Sequence, residues 1–217
     1  MNEPTVELLS TPLPAEPLLL ASEWLAEAWR RRLQPNPNAM TLATASPDGL
    51  PTARVVLCKD VVGVPGYVVF YTNFLSRKGL ELAANPRAAA VLHWDHMHRQ
   101  VRVEGRVERA PAADSDAYFA SRARHSRVGA WASHQSQPVA SREALLAAVA
   151  AATERFAGAD VPRPSHWGGY RLWADSVELW VEGDSRIHDR ARWTRALERA
   201  ADGSVRPGPW SATRLQP

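Results

Sequence analysis

The chain has 217 residues, 45% hydrophobic and 23% charged, enough for one substantial core and short for two. Its 26 basic and 23 acidic residues are interspersed, so the formal charge of +3 excludes a strong polyanion-binding stripe and leaves only local anion sites. A lone cysteine, Cys58, excludes an internal disulfide and any multi-cysteine metal centre, and suits a reducing cytoplasm.

Residues 1–17 carry four prolines and lack the basic end and apolar run of a signal peptide, so a loosely held arm is expected there. The run LLLA at 18–21 is far too short to span a bilayer. From Leu18 to Leu33 the spacing predicts a helix, with Leu19, Trp24, Leu25 and Trp29 as its buried stripe and QPNPNA as its end. MTLATA (40–45) and TARVVLCK (52–59) flank SPDG and read as a hairpin, and GYVVFYT (66–72) as a third strand. SRKGLELAANP opens on a serine suited to an N-cap and stops before a proline, which predicts a short helix.

AAAVLHW (88–94) is a fourth strand. QVRVEGRVER (100–109) then alternates strictly, with Val101, Val103, Gly105 and Val107 facing in. Helices are expected at about 112–122 and 141–157, separated by a polar loop, RHSRVGAWASHQSQP. Strands return at YRLW (170–173), SVELWV (176–181), DRARWTR (189–195) and WSATRL (210–215). Antiparallel strands on tight turns, with helices grouped rather than alternating, predict an α+β fold: a closed or nearly closed barrel with flanking helices, forming one domain over 18–217.

No dinucleotide-binding glycine fingerprint, P-loop, G-x-S-x-G elbow or H-E-x-x-H occurs, so any phosphate must be held largely by side chains. SRK (76–78) sets a hydroxyl and two cations at a helix N-terminus, where free N–H groups already favour an anion. Arg54 and Lys59 are five apart, which puts them on opposite faces unless the strand end bends. Ser126, Gln135 and Ser136 can donate from the polar loop, and Tyr118 and Arg122 share a helix face at i, i+4, a spacing more often used for packing. HWDHMH (93–98) lacks a second ligand cluster, so a polar hairpin end is favoured over a metal site. In WVEGDSRIHDR (180–190), Arg186, His188 and Arg190 occupy alternate positions. An extended segment would project all three from one face, where an electron-rich ligand would offset their repulsion and Trp180 could edge it.

The segments MTLATASPDGLPTARVVLCK, VVFYTNFLSRKG, RQVRVEGRVER, YFASRARHSRVGAWASHQSQ, PSHWGGYRL, VELWVEGDSRIHDR and the terminal RLQP occur in order from Asn38 to Pro217. On these the chain resembles the pyridoxine/pyridoxamine 5′-phosphate oxidases, homodimeric FMN enzymes with a split-barrel fold. The resemblance implies an FMN set of Arg54, Val55, Val56, Leu57, Cys58, Lys59, Tyr71, Thr72, Arg77, Lys78, Gln100, Gln135, Ser136, Trp180 and Arg190. It implies a substrate set of Lys59, Tyr118, Arg122 and Ser126, with Arg186 and His188 over the pyridine ring as catalytic residues. His188 is then expected to accept a proton and Arg186 to orient. The implied activity oxidises pyridoxamine or pyridoxine 5′-phosphate to pyridoxal 5′-phosphate with O₂, releasing H₂O₂, in a cleft built from both subunits. No metal, nucleic acid or membrane partner is expected.

Some positions depart from the pattern. No arginine precedes Arg30, so the Arg-rich stretch that closes over substrate in the family is missing; Leu179, Val181, the S-R-A-R of 121–124 and His125 also differ. Alternatives are a flavin oxidase of the phenazine-biosynthesis type and a non-catalytic flavin- or haem-binding split barrel. Lys59, Tyr118, Arg122 and Ser126 argue against the first, because a substrate without phosphate has no use for them. Arg186 and His188 argue against the second.

Overall fold

The computed structural model describes residues 7–217, so the part of the expected arm at 1–6 lies outside the described residues. Eleven strands and five α-helices follow in the order α1 (Pro17–Arg31), β1 (Ala39–Ala45), β2 (Pro51–Leu57), β3 (Asp60–Val62), β4 (Tyr67–Asn73), α2 (Arg77–Ala84), β5 (Arg87–Trp94) and β6 (Arg99–Arg109). Then come α3 (Ala112–Ser121), α4 (Arg124–Ala132), α5 (Arg142–Arg155), β7 (Trp167–Val181), β8 (Asp189–Thr194), β9 (Leu197–Arg199), β10 (Val205–Pro207) and β11 (Ser211–Leu215).

All strand pairs are antiparallel, and nine strands share one curled sheet: seven run in the order β11-β8-β7-β6-β5-β1-β2, and β4, which carries β3 on its other side, branches off β7. The sheet forks at β7. Its first half, from Trp167 to Trp173, pairs with β4, whereas its second half, from Ser176 to Val181, pairs with β8. β2 comes up against β4, and the Lys59 N–H donates to Val69 O at 2.8 Å, which nearly closes a barrel on the β4 side. This is the split, mostly antiparallel barrel with flanking helices that the sequence predicts.

β6 follows its alternation: Val101, Val103, Gly105 and Val107 are buried and their neighbours are not. The register slips between Glu104 and Gly105, opposite the middle of β7. A Cβ on Gly105 would sit 1.9 Å from Trp173 O, so only glycine lets the two backbones meet at the bulge. The two segments read as separate strands at 170–173 and 176–181 are therefore one long strand that bends without stopping.

Four other expectations change. On α1 the buried face is Leu18, Ala21, Trp24 and Ala28, while Leu19 and Trp29 stand 48% and 50% exposed; the helix docks this neighbouring row on β3 and β7, where it joins the barrel core. The polar loop after α3 contains α4, and β3 and the β9–β10 hairpin are additional short elements. Residues 9–16 are not loosely held: Leu9 N–H donates to Asp189 Oδ2 at 2.8 Å, and Trp193 and Trp210 donate from their ring nitrogens to Pro14 O and Glu16 Oε2. Finally, residues 182–188 are not extended. A 3-10 turn spans Asp184–Arg186, with Ser185 and Arg186 at positive φ, so Arg186, His188 and Arg190 do not share one strand face.

Two clusters make the core. The larger fills the barrel with residues such as Leu42, Phe70, Leu92, Val101, Leu172 and Trp193; the smaller, Phe119, Val128, Phe156, Val161 and Trp167, lies under α3, α4 and α5. Among the described residues, no helix is long and apolar enough to cross a membrane, and no group of three or more acidic, His or Cys side chains could hold a metal ion.

Candidate active site

A cleft of about 990 Å³ opens between the edge strand β2, the end of β4, the start of α2 and the α3–α4 region. Arg54, Val55, Val56, Leu57, Lys59, Tyr71, Thr72, Arg77, Lys78, Tyr118, Arg122, Ser126, Gln135 and Ser136 all line it. β2 contributes both faces because it is an edge with nothing paired to its outer side, and the chain turns after Leu57, which brings Lys59 round to the same cleft as Arg54.

One wall is the start of α2. Ser76 caps it, its hydroxyl accepting from Gly79 N–H at 3.4 Å. A Cβ on Gly79 would lie 2.2 Å from Phe74 O, so glycine allows the first turn to dock tightly under β4. Lys78 is thereby buried. Its Nζ donates to Gln135 Oε1 at 2.9 Å and to Thr72 Oγ1 and Ser76 Oγ at 3.2 Å each, and it has no carboxylate partner among the described residues. Burial, reinforced by the charge of Arg54 and opposed by Glu81, pulls its pKa down to about 8. A buried cation held only by neutral acceptors at a helix start fits an anionic ligand.

Arg54 and Arg77 are held by one carboxylate. Glu81, 5% exposed, accepts from Arg77 Nε at 2.9 Å, Arg54 Nη2 at 3.2 Å, Thr44 Oγ1 at 2.5 Å and Thr52 Oγ1 at 2.7 Å. Burial alone would raise its pKa, but these hydrogen bonds and the charge of Arg54 hold the carboxyl at about 2.

The opposite wall is aromatic. Tyr71 stacks on Tyr118 with ring centroids 4.0 Å apart and on Trp167 at 5.5 Å. Arg122 lies 4.7 Å over the Trp167 ring, and Lys59 Nζ lies 5.5 Å from the Tyr118 centroid. Arg122 Nη1 is buried with no hydrogen-bond partner among the described residues, and desolvation lowers the guanidinium pKa. Such an orphaned donor beside a flat aromatic stack fits a second anionic group. α4 completes the cleft with Ser126, Gly129 and Ala130; it is anchored from behind by Trp131 Nε1 donating to Pro162 O at 2.8 Å and by the 2.6 Å Arg127–Asp160 ion pair.

These walls are continuous with two family models. Residues 25–156 match the model described as pyridoxamine 5′-phosphate oxidase, and residues 167–217 match the pyridoxine 5′-phosphate oxidase C-terminal dimerisation region. The chain belongs to the pyridoxine/pyridoxamine 5′-phosphate oxidase family. It is 54% identical over 181 residues to the pyridoxine/pyridoxamine 5′-phosphate oxidase of Azorhizobium caulinodans, covering 83% of this chain and 84% of that one. It is 49% identical over 202 residues to the Burkholderia lata protein of the same name, covering 93% and 89%. Among solved structures, PhzG from Burkholderia lata, in complex with tetrahydrophenazine-1-carboxylic acid, superposes with a TM-score of 0.84 at 32% identity, over 99% of this chain and 100% of that one. A pyridoxamine 5′-phosphate oxidase-related, FMN binding protein from Nostoc punctiforme, 16% identical with a TM-score of 0.66 over 89% and 95% of the two chains, shares the fold.

In this oxidase-family chain, six expected site residues do not line the cleft. Cys58 turns into the core, where its thiol donates to Asp60 O at 3.4 Å and burial pushes its pKa up to about 12. Gln100, Trp180 and Arg190 sit side by side on β6, β7 and β8, at the far end of β7 from Trp167. The charge of Arg190 is offset by protein: Nη2 and Nε donate to Glu178 Oε1 at 2.8 and 3.1 Å, and Nη1 donates to Gln216 O. His188 packs against Trp180 with centroids 4.7 Å apart. Gly183 N–H donates to His188 Nδ1 at 3.2 Å, which assigns the proton of a neutral ring to Nε2. Arg186 is exposed on its 3-10 turn.

Sequence reasoning missed Glu81, Thr52, Asn73, Gly129, Ser133 and Trp167 as parts of the site. A signal for Trp167 existed in the W-G-G that opens β7: a Cβ on Gly169 would lie 2.8 Å from the Tyr71 ring, so the glycines make room for the aromatic stack.

Proposed function

We propose that this chain is an FMN-dependent oxidase that converts pyridoxamine or pyridoxine 5′-phosphate to pyridoxal 5′-phosphate. Pyridoxine phosphate and O₂ would give the aldehyde and H₂O₂; pyridoxamine phosphate would also consume water and release ammonia. The observation that carries the reading is the cleft's two distinct cationic groups around stacked rings. Lys78, Arg77 and Arg54 gather at the start of α2, and Lys59 and Arg122 gather at the aromatic wall. Two phosphorylated flat molecules need such a pair.

Bound FMN would supply the redox chemistry, taking a hydride equivalent from the substrate carbon and passing electrons to O₂. The chain's own groups do the rest. Lys78, Arg77 and Arg54 would hold the flavin phosphate, with Thr72 and Gln135 orienting Lys78. Arg122, Lys59, Tyr118 and Ser126 would hold the substrate phosphate and ring. His188, with Nδ1 engaged by Gly183, would offer an Nε2–H donor to the substrate. Accepting a proton instead would require the ring to give up that backbone contact.

Trp180 lies 13 residues along β7 from Trp167, roughly 40 Å of strand. Gln100, Trp180, His188 and Arg190 are therefore read as completing the cleft of a second subunit in a homodimer, in keeping with the dimerisation region matched at 167–217. A second reading, an oxidase acting on a carboxylated phenazine precursor, is favoured by the likeness to PhzG. Arg122 Nη1, buried and unpartnered among the described residues, and the higher identity to the phosphate oxidases weigh for the first.

The deciding experiment incubates FMN-loaded protein in air with pyridoxine or pyridoxamine 5′-phosphate and follows the aldehyde absorbance together with peroxide. Equal yields of both products are expected. A yellow protein that turns over neither vitamer would overturn the first reading and leave the second.

A further inference from the structure

We propose that Glu81 is a positioning residue for the phosphate end of the cleft: it fixes the guanidinium groups of Arg54 and Arg77 so that both face one phosphate. The inference rests on the flavin reading above and deepens it. Glu81 touches no open part of the cleft. It lies on the second turn of α2, buried behind the two arginines, and ties three separate elements together, since Thr44 comes from β1, Thr52 and Arg54 from β2, and Arg77 from α2. Each oxygen has its own task. Oε1 takes Arg77 Nε, and Oε2 takes Arg54 Nη2 and both threonine hydroxyls. Arg54 is fixed further by Nη1 donating to Thr44 Oγ1 at 2.6 Å and Leu42 O at 3.1 Å.

A phosphate site has reason to avoid a carboxylate, because a negative charge behind the cations weakens their pull on an anion. Three cations without a counter-ion, however, repel one another and spread. A buried carboxylate with four donors trades some attraction for a fixed geometry, and fixed donors are worth most to a ligand with a rigid set of acceptor oxygens. The two effects have opposite signs, which makes the inference decidable.

The test compares FMN with riboflavin, which lacks the phosphate, by fluorescence titration of the full-length chain freed of flavin. If Glu81 acts by positioning, Glu81→Gln lowers the preference for FMN over riboflavin by roughly tenfold or more, the loss of one charge-assisted contact, while riboflavin affinity stays the same. If it acts only as a charge or as packing, the preference is unchanged or rises, and the inference fails. Should Glu81→Gln not fold, Thr44→Val decides the matter. It keeps the shape and every charge, removes a hydroxyl that bridges Glu81 and Arg54, and is expected to lower the same ratio by a smaller factor. A wild-type chain with no preference for FMN would sink the flavin reading and this inference together. A wild-type preference that both variants retain would sink the inference alone.

Discussion

Lys78 shows how one residue can report on its ligand. Its ammonium is buried among neutral acceptors, and its folded pKa of about 8 lies below the 10.5 of an unburied lysine. Between those two values the unfolded chain binds more protons than the folded one, so this group's contribution to stability rises with pH from about 8 to 10.5 in the ligand-free protein. A phosphate ligand reverses the preference by favouring the charged form. FMN affinity is therefore expected to hold steady from about pH 7 to 8, above the second phosphate pKa of about 6, and to fall as pH rises to about 9.5, whereas in Lys78→Met it should be weaker throughout and flat over that interval. Flavin titrations at pH 7 and 9.5 check this, and a wild-type affinity that does not change with pH would contradict it. The cation itself was legible, because a serine before two basic residues at a helix start is a known anion arrangement. Glu81 was not. In sequence it is a glutamate four residues after an arginine, the spacing of an ordinary solvated helix pair, and only the fold brings Thr44 and Thr52 behind it.

At the scale of elements, α4 gives the sharpest contrast between what pattern reveals and what packing adds. Strictly alternating β6 announced itself, as did the Pro-Asp-Gly hairpin, because each carries a period or a turn that local sterics impose. The residues of α4, RHSRVGAWA, carry no acidic first turn and no side-chain cap, and Ser126 and Gly129 favour a loop reading. What makes this stretch helical is tertiary: Arg124 reaches Ala159 O and Phe156 O, and Trp131 reaches Pro162 O, so the helix is clamped from its rear face. Gly129 then has a task at the front. A Cβ there meets nothing within 4 Å, and the position lines the cleft. Gly129→Leu should improve helix propensity by about 0.5–1 kcal/mol and leave the melting temperature equal or higher. The same change should weaken FMN binding at least tenfold by filling ligand space. Paired thermal melts and flavin titrations read both, and intact binding would show that ligand does not approach α4 at this point.

For the whole molecule, β7 separates the cleft from Trp180, His188 and Arg190, and sequence alone could not say that the cleft and these three residues lie at opposite ends of one strand. Alternation made Arg186, His188 and Arg190 look like neighbours on a continuous face; the turn at Asp184–Arg186 breaks that face. The proposed trans-completion of the site predicts complementation. Lys78→Met and His188→Ala variants, each weakly active alone, should regain about a quarter of wild-type activity when co-expressed, because half the random dimers are mixed and each mixed dimer keeps one undamaged site. No recovery in purified mixed dimers would mean that each cleft is completed within its own chain. A clamp at the Trp180 end of β7 ties three distant stretches of the chain together. Arg214 grips the backbone of Leu9 and Ser10 and pairs with Asp189, and Gln216 O receives Arg190. Residues 9–10, 189–190 and 214–216 therefore hold one another in place, and loosening any one of them frees the backbone that leads out of His188.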